Sequence, residues 1–387
     1  MTHTCANRGC SNSTDGVHVK CNPCRAGNTP AVRARNAEAR KDTRTPEQKT
    51  KERLDLARAQ RDLSDMRAQN RHLQKLALSS EGLREMIGTL PAPSAGDPEW
   101  LKGPAKPRSV TGTGLLMISD IHAGEVVKGE QLGGANAYNL EICERRLRNT
   151  FVSCRRLLKE FLASPRFDGI VVPLGGDLFS GNIHEELQKT NEEPILRTML
   201  RLETWLIDGL TMLADEFGRI HVPAVTGNHG RMTRKPEFKN RAHENYEWLT
   251  YQRLALHFAK DSRFTFDIPD GPDAYFPIYS QRFALTHGDQ FRGGDGVGGI
   301  IVPIRRGLSR KQFRDNQIGR RWETMLIGHW HAYHHMNDLV VNGSVKGADE
   351  YSYGNNFGFE PPTQALFVVH PKVGVTARWP VFCDYRG

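Results

Sequence analysis

From about residue 114 onward, short apolar runs alternate with long amphipathic stretches. LLMIS at 115–119, GIVVPL at 169–174, RIHVPAV at 219–225, RFALT at 282–286 and ETMLI at 323–327 are too short for helices and mostly apolar, the pattern of buried strands. Between the early runs the apolar residues fall at helical spacing. Leu140, Cys143, Leu147, Cys154, Leu158 and Leu162 share one face, and Arg145, Arg148, Arg155, Arg156 and Lys159 fall mostly on the rest. A second helix is predicted from about Pro194 to Phe217, stopped by Gly218. Beyond His331 the segments LVVNGSV, TQALFVVH and VGVTARW read as strands. Strands alternating with helices, followed by a strand-rich end, predict an α/β layered fold. No internal repeat is visible.

The upstream part has a different texture. From about Thr45 to Leu90 the chain is rich in Arg, Lys, Gln, Glu, Leu and Ala with no proline after Pro46, which predicts a helix. Leu56, Leu63, Asn70 and Ala77 fit heptad position a, and Ala59, Met66 and Leu73 fit d. An Asn at one a position sets register in a parallel dimer, so a homodimer through residues 46–90 is one expectation. A single helix on the main domain or in solvent is the other. Five prolines and four glycines between Pro91 and Gly114 predict a linker. The expected organisation is a zinc knuckle over 1–25, a basic helix with coiled-coil character over 26–90, a linker over 91–113, and an enzyme-sized domain over 114–387.

Composition refines this picture. With 38% hydrophobic and 25% charged residues the chain reads as soluble and globular. No run approaches the roughly 20 apolar residues of a membrane span, and MTHTCANRGC lacks the apolar stretch of a secretory signal, so no membrane partner and a cytoplasmic location are expected. The net charge is +9, and residues 25–75 alone carry 14 Lys/Arg against 7 Asp/Glu. A positive field this concentrated favours polyanions, nucleic acid first among them, although a solvated helix has the same composition. Cys5, Cys10, Cys21 and Cys24 form C-x4-C-x10-C-x2-C, a spacing for one structural Zn²⁺, with His3 or His18 able to replace a cysteine. The alternative is free thiols in a tail. A zinc knuckle followed by a basic helix suits gripping nucleic acid and suits protein docking equally. Cys143, Cys154 and Cys383 read as ordinary cysteines.

The chemistry gathers at the downstream ends of the five apolar runs. They end in Asp120 and His122 (SDIH), Asp177 (GGD), Asn228 and His229 (TGNHG), His287 (THGD), and His329 and His331 (GHWH). Ligands in open α/β sheets collect outside the carboxyl ends of strands. Each motif alone is an ordinary turn, but five in order, each after a strand, are not a coincidence. Carboxylate, imidazole and amide oxygen without thiolate suit Mn²⁺ first, then Fe or Zn²⁺, rather than Mg²⁺ or Ca²⁺. Seven donors exceed one ion's needs. Two ions about 3.5–4 Å apart, sharing one carboxylate, can hold a bridging hydroxide and clamp a phosphate through in-line displacement. His229, next to Asn228, is expected to point away from the ions toward the leaving-group oxygen as general acid.

The order D-x-H, G-D, G-N-H, H-G and G-H-x-H, spread over Leu115 to Trp379, resembles the calcineurin-like metallophosphoesterases, and within them the SbcD-type DNA-processing nucleases. The resemblance implies two β-sheets sandwiched between helices. It implies one metal on Asp120, His122, Asp177 and His331, and the other on Asp177, Asn228, His287 and His329, with Asp177 bridging and His229 acting on the transition state. Two departures stand out. An acidic residue usually follows the Asn-His pair, where this chain has Gly230 and Arg231, and Arg231 can instead touch a substrate phosphate. Related nucleases carry a His soon after G-D; here His184, seven residues past Asp177, is the candidate for substrate contact. The insert Phe291–Arg321 holds eight Arg/Lys and two Asp, with Arg305 and Arg306 as candidate phosphate contacts, and Gly293 to Gly299 permit lid-like movement. The leading expectation is a two-metal nuclease or phosphodiesterase acting on DNA or RNA. A phosphatase or small-molecule phosphodiesterase with the amino-terminal module as a docking adaptor is the alternative, and a non-catalytic scaffold is the third.

Overall fold

In the computed structural model, which describes residues 45, 55, 96–103, 112–162, 165–293 and 299–384, the first apolar run is buried on both faces. It begins as strand β1 (Gly112–Leu116) and continues as extended chain through Ile118, which bridges to Leu174. Successive strand residues face opposite ways, so Leu116 and Ile118 enter one core while Leu115 and Met117 enter another. That alternation builds the layers.

After β1 the chain runs through α1 (Leu140–Glu160), β2 (Phe167–Val171), α2 (Glu185–Thr190), α3 (Ile195–Phe217), β3 (Ile220–Pro223), α4 (Tyr246–His257) and β4 (Phe264–Asp267). There follow β5 (Asp273–Ile278), β6 (Gln281–Thr286), α5 (Ile301–Gln317), β7 (Thr324–Ile327), β8 (His334–His335), β9 (Leu339–Val341), α6 (Glu350–Gly354), β10 (Thr363–His370) and β11 (Gly374–Phe382). One sheet has the order β11-β10-β1-β2-β3-β4 and the other β5-β6-β7-β9-β8. The first packs α1, α3 and α4 against its outer face through Leu147, Phe151, Leu206, Leu210 and Leu254. The two sheets face each other across Met117, Val171, Phe276, Phe283, Leu285 and Phe367. Ile304 and Leu308 of α5 cover the far side of the second sheet at Met325 and Ile327. The result is helix, sheet, sheet, helix, the α/β sandwich expected.

Local chemistry sets the helix ends. The Asn139 side chain accepts the Ile142 N–H and starts α1, and α3 stops where Gly218 turns to φ 78°. Two expectations need adjustment. The run LVVNGSV is strand only over β9, because Asn342 turns its side chain to Ser119, Gln364 and the Ala365 N–H. Part of the stretch read as linker is packed: Glu99–Lys102 forms a 3-10 turn, Leu101 is fully buried between the sheets, and the Leu101 carbonyl accepts the Tyr279 N–H at 2.6 Å. An apolar pair, Trp100 and Leu101, outweighs the breaker residues around it.

The chain divides into two units, Met1–Gly82 and Leu83–Gly387, and all the named elements belong to the second. The cysteines of the expected zinc knuckle, the heptads of 46–90, and positions 294–298 of the glycine-rich run lie outside the described residues. Among the described residues no helix is long and apolar enough to cross a membrane.

Candidate metal centre

Five strands deliver the polar motifs to one place. β1, β2 and β3 run parallel in the first sheet and β6 and β7 run parallel in the second, so their carboxyl ends open on the same side. Beyond those ends the chain is forced into an uncommon conformation. Asp120 (φ 53°), His122 (φ 51°), Asp177 (φ 52°), His329 (φ 68°) and His331 (φ 53°) all lie in the left-handed region. For side-chain-bearing residues this is costly and persists only where surrounding contacts enforce it. Here backbone bonds enforce it: Asp120 N donates to Gly176 O at 2.9 Å and His122 N to Asp177 O at 3.0 Å. His329 N donates to Asp120 Oδ1, and His229 N to Asp177 Oδ1, each at 2.8 Å. The approach is so close that a Cβ on Gly227 would sit 2.1 Å from Asp177 Oδ1, and one on Gly328 would sit 2.4 Å from Asp120 Oδ2.

The donor atoms converge in three overlapping groups: Asp120, His122 and His331; His122, Asp177 and His229; and Asp177, His287 and His329. Within each, the atoms lie within 4.8 Å of one another. Asn228 joins the last, its Oδ1 being 3.2 Å from His287 Nε2, which is 3.0 Å from Asp177 Oδ2. On the other flank His122 Nε2 is 3.0 Å from His331 Nε2, which is 3.3 Å from Asp120 Oδ1. Three of these residues (Asp120, His122, Asp177) are almost fully buried and His287 is too. His287 Nδ1 lies 2.8 Å from the Gly175 carbonyl, which takes the ring proton there and leaves Nε2 as the lone-pair side.

The electrostatics suit a cation. Burial, followed by Lys346, pushes His122 well below the ordinary imidazole range, and burial, followed by His287, brings His329 down to about 4, so both rings present lone pairs. Burial also opposes charge on His287, but the Asp177 carboxylate outweighs it and raises the ring to about 10. Electrons that hold a proton this firmly are equally available to a divalent ion. Oxygen and imidazole donors in this number can hold divalent metal ions, and Asp177 is common to two of the three groups.

His229 lies against the donors. Its ring lies edge-on to His122 with centroids 4.6 Å apart, and its donor nitrogen belongs to the middle group. Its Nδ1 is 2.8 Å from the Ser180 carbonyl, which fixes the ring. Burial holds it below the usual imidazole range, against the pull of Asp177.

Supporting groups were not legible from the motifs. Glu247, fully buried at the start of α4, accepts the Leu178 N–H at 2.9 Å with one oxygen and the Gly227 N–H at 2.7 Å with the other. It thereby ties the loop of Asp177 to the loop of Asn228; burial, followed by the Asp177 charge, pushes it up to about 8. Glu125 stands 3.8 Å from His122 Nδ1 and is held at 3.0 Å by the buried Lys346, which also pairs with Asp349. Arg241 binds Asp289, two residues past His287, at 2.7 Å. Nothing local to Glu247 or Lys346 in sequence marks them.

Two stacked sheets carry these donors at their strand ends, the layering and donor order that the resemblance in the motifs implies. No protein-family model matches the sequence, and no curated sequence is similar to it. Among solved structures, a predicted phosphoesterase of Streptococcus pneumoniae is 10% identical over 70% of this chain and 99% of its own, at a TM-score of 0.27. The sulfate thiohydrolase SoxB of Thermus thermophilus, solved with glycerol, is 9% identical over 73% of this chain and 59% of its own, at 0.29. A Staphylococcus aureus protein assigned as a 5′-nucleotidase is 11% identical over 71% of this chain and 55% of its own, at 0.32. At such identities and scores, nothing those proteins bind or act on transfers to this chain.

The expected substrate contacts separate. His184 precedes α2 with its ring 6.3 Å from that of His229. Arg231 folds back, giving Nη1 to the Asn228 carbonyl at 3.0 Å and Nε to the Thr233 carbonyl at 3.2 Å. Arg305 is engaged by Asp338 and lies beside Met336, whereas Arg306 lines a cavity with Phe291.

Proposed function

We propose that this chain is a metal-dependent phosphoesterase that cleaves phosphodiester bonds in nucleic acid. The observation that carries the reading is Asp177, buried and common to two of the three donor groups, with Asp120, His122 and His331 on one side and Asn228, His287 and His329 on the other. When bound, a pair of divalent ions at these residues supplies activated water and neutralises charge on the phosphate. Manganese is the first choice for both positions, with iron or zinc as alternatives. The protein's own part is to orient and to move a proton. His229, anchored through Nδ1 to Ser180, presents Nε2 beside the donors and delivers a proton to the departing oxygen. His184 and the unused nitrogen of Arg231 lie on the approach to His229 and Asn228 and contact the substrate backbone.

The net charge of +9 supports a polyanionic substrate over a small ester. In this reading residues 1–90 act in the cytoplasm as the gripping module, with a zinc knuckle on Cys5, Cys10, Cys21 and Cys24 and a dimerising helix over 46–90. The test is a manganese-supplemented assay against single-stranded DNA, duplex DNA, RNA and bis-p-nitrophenyl phosphate, with Asp177→Asn in parallel. Cleavage of a polynucleotide by the native chain alone supports the proposal. Turnover of the aryl ester with no polynucleotide cleaved favours the phosphatase or small-molecule reading. Equal activity in Asp177→Asn would overturn the role of the shared carboxylate.

A further inference from the structure

Beside the loop that carries His287, a cavity of about 220 Å³ is walled by Phe291, Arg292, Arg306, Arg310, Lys311 and Arg314. Arg306, Arg310 and Arg314 are spaced four apart and therefore share one face of α5. Their electrostatic situations differ. Lys311 pairs with Asp273, and Arg314 with Asp273 at 2.8 Å and Asp315 at 2.7 Å, so both are committed to the fold. Arg292, Arg306 and Arg310 are exposed and pair with no acid among the described residues. Three unneutralised guanidinium groups around one concavity repel one another, and neither core packing nor helix formation requires them there. A planar fork of donors matches the paired oxygens of a phosphate.

Position supplies the second argument. Gln290 also lines the cavity and lies three residues past His287, so the cavity wall is within about 11 Å of the metal centre along the chain. That is a span of only a few nucleotides at about 3.4 Å of axial rise each. We propose that Arg292, Arg306 and Arg310 form a subsite for the internucleotide phosphates of a bound strand, next to the bond being cleaved; this rests on the nucleic-acid reading above. It assigns Arg306 to substrate and Arg305, held by Asp338, to structure.

The test uses the full chain and a dye-labelled, phosphorothioate single-stranded DNA 12-mer, which keeps the backbone charge and resists hydrolysis, with binding followed by fluorescence anisotropy across a salt series. Arg306→Ala/Arg310→Ala should weaken binding at least tenfold at low salt. It should also flatten the log–log salt slope by about 1.4, at roughly 0.7 per lost single-strand contact. Arg306→Gln/Arg310→Gln, which keeps side-chain bulk on the helix, should do the same. Arg305→Ala removes one positive charge from the same helix and should change affinity less than twofold. An unchanged slope in both double variants, or a loss in Arg305→Ala as large as theirs, overturns the subsite while leaving the catalytic reading intact. An equal loss in competition by thymidine 5′-monophosphate would make the cavity a free-anion site and overturn it too. No binding of the 12-mer by the native chain would overturn the subsite, and the substrate class would then be decided by the cleavage assay above.

Discussion

The acidic residue that usually follows an Asn-His pair is missing from the sequence, yet a carboxylate stands beside that pair in space. A Cβ on Gly230 would lie 2.7 Å from Glu247 Cγ, 2.9 Å from its Cδ and 2.3 Å from Asn245 Oδ1, so Glu247 fills the place a side chain at 230 would take. Glu247→Gln sets an amide donor against one of two N–H groups in a dry site, a mismatch worth about 1–3 kcal/mol. It should weaken metal binding by roughly 10–100-fold, as losses behind a ligand do, measured by competition with a fluorescent chelator while the circular dichroism spectrum holds. Gly230→Glu alone should be worse, through collision. Combined with Glu247→Gly it should recover part of the affinity, and a double variant weaker than either single one would show that the two carboxylates are not interchangeable. Asp177→Asn should cost both ions, read by elemental analysis; a variant retaining two ions refutes the sharing. Proton linkage gives a third expectation. Since the folded His287 sits at about 10, above the ordinary 6.5, the stability it contributes is complete below pH 6.5 and fades as the pH climbs through 10. A divalent ion at Nε2 competes with that proton, so Mn²⁺ affinity should rise up to tenfold per pH unit between those values. Calorimetry at pH 7.5 in buffers of different ionisation enthalpy should show about one proton released, and none released would contradict the assignment.

At the scale of elements, what was legible was local. Strand tips announce themselves because an apolar run and its polar end are contiguous: LLMIS runs into Asp120, GIVVPL into Asp177, and RFALT into His287. Those five ends also proved to be where Asp120, Asp177, Asn228, His287 and His329 meet. The illegible parts depend on distant partners. Glu247 reaches Leu178 across 69 positions and Lys346 reaches Glu125 across 221, separations that no periodicity encodes. The ring direction of His229 depends in the same way on a distant group, the Ser180 carbonyl 49 positions away. The turn Glu99–Lys102 is the clearest instance among elements, since its proline-rich setting predicts a linker while Leu101 closes the space between the sheets. Leu101→Ala should therefore behave as a core truncation and destabilise by about 2–5 kcal/mol in urea unfolding, where a linker position would change almost nothing. A midpoint shift indistinguishable from zero would return residues 96–103 to linker status.

For the whole molecule, the proposal that both units act on one polyanion is tested through the distribution of charge. Of the net +9, the segment 25–75 carries 14 basic against 7 acidic residues, and the cavity near the metal centre adds three arginines that pair with no acid among the described residues. If both act on one polyanion, their contributions to binding should appear in the salt dependence, because each phosphate neutralised by Lys or Arg releases counterions. Deleting residues 1–82 should then lower the slope by more than the double arginine substitution does, since more positive charges are removed, and should weaken affinity most steeply at low salt. Combining the deletion with Arg306→Ala/Arg310→Ala should add their slopes, as expected for separate contacts along one strand. The competing role for the upstream region, docking of a protein partner, predicts a slope untouched by the deletion. Light scattering on the same two proteins decides whether residues 46–90 also set the oligomeric state: a dimer that becomes a monomer on deletion lowers affinity by halving the number of linked sites, which reduces binding to long strands far more than to a 12-mer. Loss confined to long strands therefore assigns the upstream unit to pairing two copies, and equal loss on both lengths assigns it to direct grip.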